Sequence, residues 1–436
     1  MTDTCFTVGI YTLGCKVNQY ESEAIAEEFA KNGFRVQAPT QICDIYVVNT
    51  CTVTAESDRK ARQFIRRVIH RNPNAYILVT GCYAQVFPEE VAAISGVDYI
   101  CGNSEKFSVV EAAKSLVKCG KKPQNPEVRM ASPDANGFES MQIAQFDRTR
   151  AYVKIEDGCE NRCSYCIIPS ARGRIRSKAP EDVLQEVRTL VAGGCREVVL
   201  TGIETASYGK DLDHYTLADL LTEIDQIPGI GRVRLGSLDP GMMKQQFVDQ
   251  ISCLTSLAPY FHLSMQSGSD RILAGMKRKY NTRIAKEAIA RIRAAIPNVQ
   301  FTTDIIVGFP GETEEDFLQT VEFVKEVGFL MIHVFPYSRR KGTLADTMPD
   351  QIPQEIKHHR VAMLSEEAAK IRAKQLDQKI GQTDVILVEG YRNGSAYGHT
   401  ADFCEVSVPV KRAPSLPHLP VRILSHNGAV CLGELI

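Results

Sequence analysis

Twice along this chain of 436 residues, short β-branched apolar runs alternate with amphipathic helical runs, and that alternation leaves few architectures open. Strands separated by helices run parallel, and the crossover helices cover both faces of the sheet. The first series occupies residues 1–118. There FTVGIYTLG precedes ESEAIAEEFAKNG, IYVVNTC precedes a helical run from Arg59 to His70, and YILVTGC precedes PEEVAAIS. Residues 119–147 lose this periodicity and gather Pro, Gly, Asn and charge, which reads as a linker. The second series lies within residues 148–375, with strands expected at AYVKIED, EVVLTGI, RVRLGSL, YFHLSMQ, QFTTDIIVGF and LMIHVFPY. Six βα units make a partial (β/α)6 barrel of the TIM type. The helical run IPQEIKHHRVAMLSEEAAKIRAKQLDQ then leads into residues 376–436. Short runs there, such as TDVILVEGY, EVSVPV and VRILS, predict a small antiparallel β-barrel. The fold class is therefore α/β in the first two domains, with a β-barrel at the C-terminal end.

At 44% apolar and 24% charged residues, the chain has material for true cores. No run of about 18 apolar residues and no basic-then-apolar leader is present, so a soluble cytoplasmic protein without a membrane partner is expected. Fourteen cysteines in a reducing compartment point away from disulfides and toward metal ligation or catalysis. With 51 basic against 52 acidic residues, no global field attracts DNA or RNA, and any RNA contact must rest on local patches.

The chemistry concentrates in GCENRCSYCIIPSARGR, where Cys159, Cys163 and Cys166 form CxxxCxxC directly after the first barrel strand. Three thiolates leave one iron of a 4Fe–4S cube without a protein ligand. That vacancy suits the amino and carboxylate groups of S-adenosylmethionine and its reductive cleavage. The competing reading is a structural zinc site in an RNA-binding protein without radical chemistry. Such sites usually close with four ligands, and no fourth Cys or His lies nearby in sequence. A second set, Cys15, Cys51 and Cys82, stands at the carboxyl ends of three expected strands, and in a parallel sheet those ends border one crevice. They suit either a second cluster or three inert buried thiols. Cys5, Cys43, Cys101, Cys119, Cys195, Cys253, Cys404 and Cys431 read as small apolar residues.

The cysteine spacing at a barrel mouth resembles the radical S-adenosylmethionine superfamily. GCKVNQYES, NTCTVT, TGCYAQ, GCENRCSYCIIPSARGR, LTGI, HLSMQSGSD, DIIVGFPGETEEDF and FPYSRRKGT together resemble its methylthiotransferase family over nearly the whole chain. The resemblance implies an auxiliary 4Fe–4S cluster on Cys15, Cys51 and Cys82, an S-adenosylmethionine-cleaving 4Fe–4S cluster on Cys159, Cys163 and Cys166, and an RNA-binding C-terminal TRAM domain. It also implies that one S-adenosylmethionine methylates a sulfur at the auxiliary cluster. A second is cleaved to a 5′-deoxyadenosyl radical that activates C2 of an adenine. Around the first cysteine the isopentenyladenosine branch typically reads GCQMN and the ribosomal-protein branch GCPKN. GCKVNQYES with IIPSARGRIRS is similar to the branch acting on N6-threonylcarbamoyladenosine at position 37 of tRNA. The implied partners are the tRNA anticodon stem-loop and an unidentified electron donor. Glu204 in LTGIETASYG departs from the histidine of many members.

Strand ends supply the remaining candidates. Tyr165 precedes the third barrel cysteine, and Thr201, Gly202, Ser237 and Gln266, with Ser267 and Gly268 beyond it, are expected at the barrel mouth as S-adenosylmethionine contacts. The alternative for each is a polar residue serving local backbone groups. Gly308 and Gly311 permit close backbone approach, and Thr313 with Asp316 reads as a capping box. Arg172, Arg174, Arg176 and Lys178 share one side if RGRIRSK is extended, and are candidate RNA-phosphate contacts. Arg59, Lys60, Arg62, Arg66, Arg67 and Arg71 form a second basic group on an expected helix. Tyr391, Tyr397, His399 and Phe403 are candidate stacking faces, in a C-terminal domain without net positive charge.

Overall fold

The computed structural model describes residues 5–146 and 149–436. The N-terminal domain is a six-stranded parallel sheet. Its spatial order is Arg35–Gln37, Thr7–Thr12, Ile45–Thr50, Tyr76–Gly81, Tyr99–Cys101 and Glu127–Arg129. The two central strands, Ile45–Thr50 and Tyr76–Gly81, are buried at every residue, as their continuous apolar runs require of a sheet covered on both faces. Strand order reverses between Thr7–Thr12 and Ile45–Thr50, and the carboxyl ends of strands at such a reversal form a ligand-binding crevice.

The segment read as a linker is built into both neighbours. Glu127–Arg129 adds the sixth strand beside Tyr99–Cys101, and Met141 and Ile143 are buried in the barrel core. A three-residue strand is too short to show periodicity, which is why the sequence pattern missed it.

The central domain is an open barrel of parallel strands in two arcs. One holds Ala151–Lys154, Glu197–Thr201 and Arg232–Leu235, and the other Ser237–Leu238, Tyr260–Gln266, Gln300–Val307 and Met331–Pro336. Arg232–Leu235 and Ser237–Leu238 are one strand direction interrupted at Gly236, so the six expected units are present. One apolar core runs through this domain and takes in Tyr20 and Ala24 of the N-terminal helix Lys16–Lys31, which seats the first domain on the barrel. The expected capping box forms: Thr313 caps helix Glu314–Val327, and Asp316 answers through its carboxylate.

Helix Gln354–Asp377 leads to a closed barrel in the order Thr383–Arg392, Ser395–His399, Glu405–Pro409, Cys431–Leu435 and His418–His426. Four neighbouring pairs are antiparallel, but Glu405–Pro409 and Cys431–Leu435 pair in parallel. A ring with an odd number of strands cannot alternate direction all the way round, so a purely antiparallel barrel was topologically closed to it. No described helix is long and apolar enough to cross a membrane.

Candidate active site

Cys159, Cys163 and Cys166 open onto a cavity of about 130 Å³ at the barrel mouth, together with Tyr165, Glu204, Ser237 and Gln266. The loop that carries them is clamped on several sides. Gly158 has φ +89, and a Cβ there would lie 1.8 Å from the Arg174 carbonyl oxygen, so only glycine lets the loop cross that backbone. Cys159 N–H donates to the Gly173 carbonyl at 2.9 Å, and Ser164 ties the loop to Met276 through its N–H (3.1 Å) and to Gly275 through its hydroxyl (2.8 Å). Gln266 itself sits at φ +65, a conformation that costs a non-glycine residue about 1–3 kcal/mol and persists where the surroundings impose it.

The donors here are soft thiols with a cation at hand. Arg278 donates to Cys163 Sγ at 3.2 Å and pairs with Asp239 at 3.0 Å. Burial raises the Cys166 thiol to about 12, while burial and the Glu204 carboxylate raise Cys159 further. Such thiols ionise on binding a metal, which returns the cost of burying them. Among the described residues no three His, Cys, Asp or Glu side chains gather closely enough to hold a single metal ion. A cube asks for no such convergence, because each thiolate takes its own iron.

The second triad is assembled from three strand ends. Cys15 caps helix Lys16–Lys31, Cys51 follows strand Ile45–Thr50, and Cys82 opens the short helix Cys82–Val86. Gly14, at φ +103, lies so close to Cys51 that a Cβ would stand 2.8 Å from its Sγ. Burial raises Cys51 to about 12, with Cys82 and then Cys15 adding to the rise, as thiols within electrostatic reach of one another do. Arg172 Nε and Asn103 Nδ2 donate to Cys82 Sγ at 3.3 and 3.7 Å.

A larger cavity of about 390 Å³ is reached by Cys15 and Lys16 from the N-terminal domain and by Phe403 from the C-terminal barrel. Ser237 borders both cavities, so they adjoin. Thr201 and Gly202, expected beside S-adenosylmethionine, line this second cavity, whereas Tyr165, Ser237 and Gln266 line the first. Ser267 is buried and hydrogen-bonds toward Thr320.

The basic motif after the cluster loop is corrected. Ile168–Arg172 is a helix and Gly173 turns the chain, so RGRIRSK is not extended over its length. Arg172 is fully buried, bonded to Glu21 (2.5 Å), Asn18 (2.6 Å) and Asp157 (3.1 Å). Lys178 is buried against Glu186 (2.5 Å) and the Met141 carbonyl. Arg176 is half-buried on the Pro133 and Arg172 carbonyls, which leaves Arg174 as the exposed cation of the four. On helix Ala55–Arg71, Arg59 pairs with Glu56 and Arg62 with Tyr83 and Glu90, while Arg66 and Arg67 are exposed. Of the aromatic candidates, Phe403 stacks on His399 (4.4 Å) and against Tyr260 (4.5 Å), so both rings serve the interface between barrels; Tyr391 is exposed, and Arg392 covers Tyr397.

Asn161, Asp239 and Arg278 in the first cavity, and Lys16, His262, Asp304 and His333 in the second, were not recognised as site residues from sequence. Glu204 accepts from Asn161 (2.7 Å) and from the Cys159 thiol (3.3 Å), filling a position where a histidine was expected. A signal existed for His262: it lies four residues before Gln266 on one strand, hence on the same face.

The model of the radical SAM superfamily matches residues 153–324, and that of uncharacterized protein family UPF0004 matches residues 7–102. The threonylcarbamoyladenosine tRNA methylthiotransferase MtaB of Bacillus subtilis is 41% identical over 88% of this chain and 86% of its own length. Its Thermotoga maritima namesake is 38% identical over 99% of this chain and 98% of its own. The tRNA-2-methylthio-N(6)-dimethylallyladenosine synthase of Desulfitobacterium hafniense is 38% identical over 86% of this chain and 85% of its own. Among solved structures, the radical S-adenosylmethionine methyltransferase TsrM of Kitasatospora setae shares the fold, with a TM-score of 0.58, 16% identity and coverage of 79% of this chain and 77% of that one. With relatives this similar over nearly their full lengths, and with a thiol triad at the mouth of a βα barrel, the chain belongs to the radical S-adenosylmethionine methylthiotransferase family.

Proposed function

We propose that this protein adds a methylthio group to C2 of N6-threonylcarbamoyladenosine at position 37 of tRNA, working in the cytoplasm on the anticodon stem-loop. The observation that carries the reading is the barrel thiol triad and Cys15 of the second set on adjoining cavities that share Ser237. Cys159, Cys163 and Cys166 would hold one 4Fe–4S cluster, and Cys15, Cys51 and Cys82 the auxiliary one. When bound, the first supplies the electron that cleaves S-adenosylmethionine and the second carries the sulfur to be transferred.

The chain's own part is positioning and exclusion. Glu204, Asp239 and Ser237 present polar groups to the smaller cavity, while Arg278 counters the negative charge of the thiolates. The base would enter the larger cavity with Cys15 on one wall and Ser237 on another, so that its C2 faces both triads. Phe403 and Tyr260 close the side toward the C-terminal barrel and keep water from a reactive carbon centre.

The test is anaerobic reconstitution followed by incubation with synthetic anticodon stem-loops and mass spectrometry of the nucleosides. Formation of 2-methylthio-N6-threonylcarbamoyladenosine with release of 5′-deoxyadenosine is expected. Modification of isopentenyladenosine alone would move the protein to the other tRNA branch, and modification of neither would overturn the tRNA reading.

A further inference from the structure

The cavity beside the auxiliary triad is lined by one lysine, Lys16, and one carboxylate, Asp304, which do not pair with each other. Lys16 enters it from the first turn of helix Lys16–Lys31, and among the described residues its ammonium has neither a hydrogen bond nor an ion pair. Arg150 and Arg234 stand within electrostatic reach of it but are engaged elsewhere. Arg150 binds Glu197 (2.8 Å) and Glu389, and Arg234 binds Glu197 (2.8 Å) and the carbonyls of Thr400 and Ala401. Arg232 takes the other oxygen of Glu197 at 3.0 Å. The remaining carboxylate, Asp304, is held by His262 Nε2 at 3.3 Å, whose Nδ1 meets the Thr302 hydroxyl at 2.9 Å. The neighbouring arginines are thus taken up by Glu197, Glu389 and backbone carbonyls, Asp304 is taken up by His262, and Lys16, without a partner among the described residues, points into the space proposed for the base.

We propose that Lys16 binds a carboxylate on the N6 substituent of the substrate base and so selects an acidic modified adenosine over an apolar one. The inference rests on the tRNA reading above and adds the group that would enforce it. An ammonium offers three rotatable donors on a flexible stem, which fits a carboxylate at the end of a flexible arm. His333, with its ring 6.2 Å from that of His262, forms the neighbouring wall. An apolar arm in the same place would bury the ammonium unpaired, which rejects it as effectively as the acid is attracted.

The experiment compares anticodon stem-loops that differ only in the carboxylate: N6-threonylcarbamoyladenosine and its methyl ester. Both retain every backbone phosphate, so a phosphate contact by Lys16 cannot produce a difference between them. Wild type is expected to favour the acid by about tenfold or more in kcat/KM, the effect of roughly one charge-assisted contact. In Lys16→Ala the preference falls toward one, and in Lys16→Arg it is retained. Damage to the neighbouring Cys15 would slow both substrates together and leave the ratio in place. An unchanged ratio in Lys16→Ala, or no preference in wild type, overturns the subsite while leaving the tRNA reading intact. If wild type methylthiolates isopentenyladenosine but neither acid nor ester, the substrate reading fails and the subsite with it.

Discussion

The two thiol triads present the same three sulfurs by opposite means. Cys159, Cys163 and Cys166 lie within eight residues on one loop, which the end of helix Asp270–Gly275, with Met276, and the short helix Leu344–Asp346, through Ala345, hold in place. Cys15, Cys51 and Cys82 come from three strand ends and share one edge of the sheet because the strands that precede them are neighbours in it. The first triad is a local structure on a scaffold, and the second is a product of the tertiary fold. The difference also decides what each is coupled to: Cys82 is bonded to Arg172, a residue of the barrel, so the distributed triad feels the other domain directly.

The largest expected effect separates the triads by chemistry. Cys163→Ala should abolish 5′-deoxyadenosine release and methylthio transfer alike. Cys51→Ala should retain reductive cleavage of S-adenosylmethionine while transfer falls by more than the roughly 10- to 100-fold that loss of a supporting partner costs. Iron per chain should drop from about eight to about four in either variant, since each cube holds four. Equal loss of cleavage in both variants, measured by chromatography of 5′-deoxyadenosine, would show that the two triads are not separable.

Next in size is the buried charge network between the domains. Glu21 receives Lys106, Lys154 (2.7 Å) and Arg172 (2.5 Å), and Asp157 receives Lys154 (2.7 Å) and Arg172 (3.1 Å). Burial opposes ionisation of Glu21, yet Arg172, Lys106 and Lys154 hold it well below the usual carboxylate range. Arg172→Ala leaves these carboxylates with fewer cations and no water, a loss of about 3–5 kcal/mol. Thermal unfolding should show a lower midpoint, and the auxiliary triad should lose iron before the barrel triad does. A variant that unfolds like wild type would mean that the network merely fills space.

That network also marks the limit of reading from sequence. The barrel triad was legible because spacing alone brings its cysteines together. The strand-end positions of Cys15, Cys51 and Cys82 were legible once the strands were placed, because a parallel sheet aligns their carboxyl ends. Arg172 and Lys178 were read as RNA-phosphate contacts because alternation along RGRIRSK would place them on one side of an extended stretch. Glu21 is brought to Arg172 by packing between domains, while Asp157 and, for Lys178, Glu186 and the Met141 carbonyl are brought by folding around the barrel, and no local pattern announces a buried ion pair. Lys16 was not singled out from sequence, because no local pattern tells a lysine that lines a cavity from one in bulk solvent.

The corrected basic motif leads to a smaller effect. Arg174 is exposed next to the barrel triad, whereas Arg172 is sealed off. Arg174→Ala should weaken tRNA binding a few-fold at low salt and reduce the slope of log affinity against log salt by about one, with no change in thermal midpoint. Arg172→Ala should show the reverse pattern. Fluorescence titration of a labelled stem-loop at several salt concentrations measures both, and a salt slope altered in Arg172→Ala alone would restore the original reading of the motif.

The smallest effect is a control that touches neither triad. Asp316 caps helix Glu314–Val327 through Thr313 and also accepts from Ser269 (2.8 Å) and Arg271. Burial disfavours its charge, but Arg271, Thr313 and Ser269 together hold it well below the ordinary carboxylate range. A depressed folded value means that the unfolded chain binds the proton first. The stabilisation is therefore complete above about pH 4, the unfolded carboxylate range, and is lost as the pH falls toward the folded value. Asp316→Asn should cost about 1 kcal/mol at pH 7, the usual worth of such a cap, and the gap from wild type should narrow as the pH falls below about 4, the unfolded carboxylate range. Iron content and cleavage should be unaffected at pH 7. If the gap instead stays constant with pH in denaturant titrations, the carboxylate contributes by shape and not by charge.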